Sequence, residues 1–184
     1  MSKSSENEDL RSALLVVRCQ LGERAAFEEL IRDWSGPLLR HIRRIAGPGP
    51  AEDLAQEVWL RALRGIARLR EGARIGAWLF AIAHHVVMNH FRLRYGQDDA
   101  VVPDDLTAEE PDSHEEIMGR LEAELAALPV LERETLTLFY LEDFSLNQIA
   151  GIQSVPVGTV KSRLSRARGM LRRAMSPPGE HHDA

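Results

Sequence analysis

The sixteen residues from Gly96 to Pro111, GQDDAVVPDDLTAEEP, constrain this chain more than any other stretch. They hold six carboxylates, two prolines and no basic side chain. Such a segment buries too little apolar surface to offset the entropy of ordering it. It reads as a flexible acidic linker, so folding must occur separately on either side. With 184 residues in all, the two flanks suit two small domains.

Both flanks show helical periodicity and no strand alternation. In the first, Phe27, Leu30, Ile31, Trp34, Leu38, Ile42 and Ile45 recur at three- and four-residue steps. Gly36-Pro37 is expected to bend or interrupt that helix. The run AGPGPAED breaks the pattern, and a new helix starts near Ala51 with Glu52 and Asp53 in its first turn. Its predicted apolar face is Leu54, Val58, Leu60 or the stem of Arg61, and Leu63. REGARIGAW reads as a short loop, and a third helix follows from Ala77 to about Arg94. Beyond the linker, Ser113 with Glu116 forms a capping box, and Ile117, Leu121, Leu125 and Leu128 line one face. Pro129 opens a helix to about Leu141. Ser145 with Gln148 repeats the capping box, and Pro156 opens the last helix, with Val157, Val160, Leu164, Ala167 and Leu171 facing inward.

The predicted fold is all-α: two small helical domains joined by an acidic flexible linker, the second ending in a helix-turn-helix. The divisions are residues 1–26, an N-terminal extension and first helix; 27–95, the first domain; 96–112, the linker; 113–175, the second domain; and 176–184, a tail. No run approaches the ~18 apolar residues of a membrane span. MSKSSENEDL lacks the apolar core of a secretory signal, and a cytoplasmic setting is expected. Cys19 stands alone and is expected to serve as a small buried hydrophobe.

Charge is distributed in blocks. Residues 27–95 carry a net charge of +4, 96–120 carry -8, 121–144 carry -5, and 145–175 carry +6, within a chain of -5. The last basic block contains no acidic residue in 31 positions. A solvated helix face usually mixes signs, so an unopposed cluster points to a polyanion. The block also has helix-turn-helix spacing: a short helix over 146–152, a break at Gln153-Ser154-Val155, then a longer helix. Ser154 stands where such turns commonly take glycine for its positive φ. Thr159, Lys161, Ser162, Arg163, Ser165, Arg166 and Arg168 lie opposite the inner stripe, where hydroxyls and cations suit the major groove.

IAGIQSVPVGTVKSRLSRARGMLRR resembles region four of the extracytoplasmic-function sigma factors of bacterial RNA polymerase. FEELIRDWSGPLLRHIRRI, AEDLAQEVWLRAL and GAWLFAIAHHVVMNHFR resemble region two of the same family, in the same order. The resemblance implies a transcription factor with no catalytic residues, cofactor or metal. It implies binding to core RNA polymerase, at the clamp coiled coil of the largest subunit, and to promoter DNA. Control by an anti-sigma factor is implied too, with no insertion into a membrane. By that resemblance Asp53, Gln56 and Glu57 bind core polymerase. The loop Leu69 to Gly76 and the next helix melt the minus-ten element and capture an unstacked base. Arg70 and Arg74 supply cationic surround, two glycines let backbone approach a base, and His84, His85 and Asn89 face DNA.

Here the chain departs from the family pattern. Ala83-His84-His85 stands where Ala-Arg-Asn is usual, and Asn89 stands where aspartate is common. His84, His85 and His90 do not share one helix face, so base or backbone contacts are expected from them rather than a metal site. Trp78 is expected to pack in the core. Minus-thirty-five recognition is carried over to Thr159, Lys161, Ser162, Arg163, Ser165 and Arg166. Lys161, Ser162 and Arg166 are the expected base readers, and Arg163 and Thr159 are expected to hold phosphates.

Overall fold

The computed structural model describes residues 3–95 and 114–175. The acidic linker, the tail and the cap residue Ser113 lie outside the described residues. Among the described residues there are eight α-helices and no strand. They belong to two compact units, one drawn mainly from the first 94 residues and the other mainly from the rest.

The first unit holds α1 (Lys3–Gln20), α2 (Arg24–Ala46), α3 (Ala51–Gly65) and α4 (Ile75–Tyr95). Two single 3-10 turns, Ile66–Arg68 and Gly72–Arg74, join α3 to α4. Leu15, Val16 and Cys19 of α1 are buried, as are Leu30, Leu38, Ile42 and Ile45 of α2. Leu79, Phe80, Ala83, Val86 and Val87 bury the inner face of α4. Burial pushes the Cys19 thiol above its ordinary pKa, consistent with a packing role. Arg18 ties α1 to α2, giving hydrogen bonds to Glu23 at 2.8 Å and to Glu29 at 3.0 Å.

Three expectations need correction in this unit. First, α2 runs unbroken through Gly36 and Pro37. Proline removes the amide that would bond the Asp33 carbonyl, but Asp33 and Gly36 are exposed, where water replaces the lost donor. Second, α3 buries Ala51, Leu54, Val58 and Ala62, while Leu60 and Leu63 are 53% and 44% exposed. The buried stripe runs in three- and four-residue steps, and Leu60 lies about 200° round the helix from Val58. Small Ala62 takes the inward place that the sequence had seemed to give the leucines. Third, the predicted loop contains the second 3-10 turn, and α4 begins at Ile75.

The second unit holds α5 (His114–Ala126), α6 (Val130–Tyr140), α7 (Leu146–Ile152) as far as Ala150, and α8 (Val157–Met175). Pro129 caps α6, as its fixed φ suits a helix entry. Every residue from Arg133 to Leu138 is buried. The Arg133 guanidinium donates to the Ala126 carbonyl at 2.6 Å, and burial lowers its pKa to about 10. Arg120 donates to the Ala174 carbonyl at 2.9 Å, satisfying an orphan acceptor in the last turn of α8.

Candidate nucleic-acid interface

The α7–turn–α8 segment is set by local chemistry. The Ser145 backbone amide donates to Gln148 Oε1 at 2.9 Å, and the Gln148 amide donates back to Ser145 Oγ at 3.3 Å. This reciprocal cap starts α7 where the sequence predicts. Ile149 and Ile152 are buried, and the Val155 amide closes the turn on the Ala150 carbonyl at 3.0 Å. Ser154 takes φ +53°, the left-handed conformation for which glycine is usual. Pro156 then precedes α8, and Val160, Leu164 and Ala167 are buried.

With that stripe inward, Lys161, Ser162, Ser165, Arg166 and Arg168 are exposed, and Thr159 and Arg163 are half-buried. Several of these side chains are engaged within the protein, Arg168 Nε donating to the Leu164 carbonyl at 3.3 Å. The Ser162 hydroxyl donates to the Thr159 carbonyl at 2.9 Å. Arg166 donates through Nε at 3.0 Å and pairs through Nη2 at 2.9 Å with one oxygen of Glu132 on α6. The basic block is therefore not wholly unopposed. Its counter-charge comes from 34 residues earlier, which periodicity within the block could not reveal.

In the first unit, Asp53 and Gln56 are exposed on α3, and Glu57 is ion-paired with Arg61 one turn on. Exposed Leu60 and Leu63 lie further along the same helix. They make this surface more apolar than the sequence reading supposed; the signal was the small residue at position 62.

Arg70 and Arg74 are exposed, and Arg74 Nε meets Glu71 at 2.8 Å. The two glycines serve packing. A Cβ on Gly72 would lie 2.8 Å from the Ala13 Cα, and one on Gly76 would lie 2.5 Å from Trp34 Cη2. Both close approaches are made within the protein itself. Trp78 is half-buried, with Cζ2 3.0 Å from the position of a Cβ on Gly65, as core packing requires.

On α4, His84 is only 7% exposed, while His85 is exposed and Asn89 half-buried. The His84 and His85 ring centroids are 5.4 Å apart. Asn89 Oδ1 accepts from Arg92 at 2.6 Å. Burial, and then the charge of Arg94, holds His90 below its ordinary pKa. His84 thus offers little surface to a nucleic acid, whereas His85 and the Asn89–Arg92 pair remain accessible.

Residues 30–95 match the Sigma-70 region 2 family, and residues 118–171 match Sigma-70 region 4. The chain belongs to the extracytoplasmic-function sigma factors. It is 34% identical over 179 residues to the RNA polymerase sigma-H factor of Pseudomonas aeruginosa, covering 89% of this chain and 93% of that protein. It is 30% identical over 174 residues to the ECF RNA polymerase sigma factor SigC of Mycobacterium tuberculosis, covering 91% and 93%. The sigma factor RpoE of Bartonella quintana, solved in complex with the anti-sigma factor NepR, shares the fold. Its TM-score is 0.68 at 24% identity, over 81% of this chain and 96% of that one. In this sigma factor the region-2 match ends with α4, and the region-4 match takes in α7, the turn and α8 as far as Leu171.

Proposed function

We propose that this sigma factor binds core RNA polymerase, directs promoter-specific initiation and has no catalysis of its own. The observation that carries the reading is the joint presence of both matches in one chain. A region-2 match carries the exposed α3 face, and a region-4 match carries a cationic helix-turn-helix. A free-standing repressor needs only the second. Asp53, Gln56 and Glu57 are assigned to the clamp coiled coil of the largest subunit, with Leu60 and Leu63 adding apolar area beside them. Arg70, Arg74, His85 and Asn89 are assigned to the minus-ten element, with His84 supporting His85 from within. Thr159, Lys161, Ser162, Arg163, Ser165 and Arg166 are assigned to the minus-thirty-five element.

Regulation by an anti-sigma factor accompanies this role, as in the Bartonella complex, and the site of action is the cytoplasm. No described helix is long and apolar enough to cross a membrane. The test is co-purification of the full chain with sigma-free core polymerase. The reading predicts a stoichiometric complex that is weakened when Asp53, Gln56 and Glu57 are all changed to alanine. Tight duplex-DNA binding with no affinity for core would instead place the protein among free-standing helix-turn-helix regulators.

A further inference from the structure

The loop assigned to the minus-ten base draws support from outside itself. Gln20, the last residue of α1, reaches 46 and 49 residues along the chain. Its single carboxamide nitrogen donates to the Ile66 carbonyl at 3.0 Å and to the Leu69 carbonyl at 2.8 Å. A carboxamide has two N–H groups, so both donors are used at once. Those carbonyls sit at the start and just after the end of the first 3-10 turn. Leu69 immediately precedes Arg70 in the chain.

Two helical turns earlier on α1, Ala13 fills the space against Gly72, where an added Cβ would come within 2.8 Å of its Cα. The loop is thus fastened to α1 on both sides of Arg70. An unfastened loop would lose its freedom when it takes up a base, weakening capture by the ordering entropy. A loop already fixed by the fold meets that cost beforehand.

We propose that Gln20 is a positioning residue for minus-ten recognition: it holds the Leu69–Arg74 loop in the conformation that receives the unstacked base. This rests on the assignment of that loop to the minus-ten element. Gln20 is exposed and outside the buried core, so its removal leaves the core intact.

The test uses holoenzyme assembled from the full chain and core polymerase. Promoters are defined first by start-site mapping with the wild-type protein. Binding is then measured to a fluorescent single-stranded oligonucleotide bearing the minus-ten element and to a scrambled strand. Gln20→Ala is expected to lose about five- to tenfold in preference for the minus-ten strand, the lower end of the scale of two net hydrogen bonds. Affinity for core polymerase, for the minus-thirty-five duplex and for the scrambled strand should stay at the wild-type level. Gln20→Glu, which replaces both donors with acceptors, should lose more. Gln20→Lys, which restores donors, should recover most of the preference.

Equal preference in Gln20→Ala and wild type overturns the inference, as does an equal loss on both strands. A wild-type holoenzyme with no preference between the strands overturns the loop assignment itself, and this inference with it. Hydrogen exchange gives a second readout. Amides of residues 69–74 should exchange faster in Gln20→Ala while those of α3 and α4 do not change. Uniform acceleration would mark Gln20 as a general stabiliser and overturn the positioning role.

Discussion

Glu132 on α6 and Arg166 on α8 are joined twice, Arg166 Nε and Nη2 both meeting the same carboxylate oxygen at 3.0 and 2.9 Å. The Glu132 side chain is 12% exposed and that of Arg166 57%. The acid is therefore anchored while the cation stays at the surface. Arg166→Ala should weaken binding to a minus-thirty-five duplex by about 1–3 kcal/mol and lower the salt slope by about one charge. Glu132→Gln releases the guanidinium and should tighten duplex binding. Fluorescence anisotropy at several salt concentrations measures both, and unchanged affinity in both variants would remove Arg166 from the interface.

The turn of the helix-turn-helix stores strain at Ser154, whose φ of +53° is costly for a residue with a Cβ. Ser154→Gly should raise the unfolding free energy by about 0.5–1 kcal/mol, the relief being partly offset by a freer unfolded chain. Ser154→Val should lower it. Urea titration followed by circular dichroism reads the midpoints, and a glycine variant less stable than wild type would contradict the strain.

Gly76 admits the Trp34 ring, leaving only 2.5 Å between Cη2 and a would-be Cβ. Gly76→Ala therefore forces a rigid indole or the start of α4 to move, and overpacking of this kind costs about 1–3 kcal/mol. Thermal unfolding should show the loss, accompanied by a shift in tryptophan emission. A neutral variant would mean that the contact is readily relieved.

The α1–α2 tie has a pH signature. The hydrogen bond from Arg18, followed by the other effects of Arg18 and Arg11, holds the Glu29 carboxyl below its usual pKa despite some desolvation. A depressed folded-state value contributes stability that is present above the unfolded pKa of about 4.3 and is lost as pH falls through the folded value. Glu29→Gln should thus be less stable than wild type near neutral pH, and the difference should close on acidification. Denaturant midpoints at pH 7 and across the acid range test this, and a gap that widens in acid would contradict it.

Much of this organisation is written in short-range patterns. The capping box at Ser145 and Gln148, the break at Gln153 to Val155 and the stripe Val160, Leu164, Ala167 are all local, and the structure repeats them. What escaped the sequence reading depends on partners distant along the chain. Gln20 finds carbonyls 46 and 49 residues on, Glu132 finds Arg166 at a separation of 34, and Trp34 determines why position 76 is glycine. Leu60 and Leu63 were misassigned because hydrophobicity alone favours a leucine over an alanine for the core. Helix phase decided otherwise. Gly36-Pro37 does not interrupt α2, because the hydrogen bond lost at Pro37 falls on an exposed turn.

The central claim is that one chain joins polymerase binding to promoter recognition. In vitro transcription tests it most directly, with purified protein and sigma-free core polymerase on fragmented DNA from the source genome and every start mapped. The account predicts defined starts preceded by two shared, spaced elements, with initiation lost in Lys161→Ala/Arg166→Ala through the upstream element. Starts that are random, or no more frequent than with core polymerase alone, would contradict it.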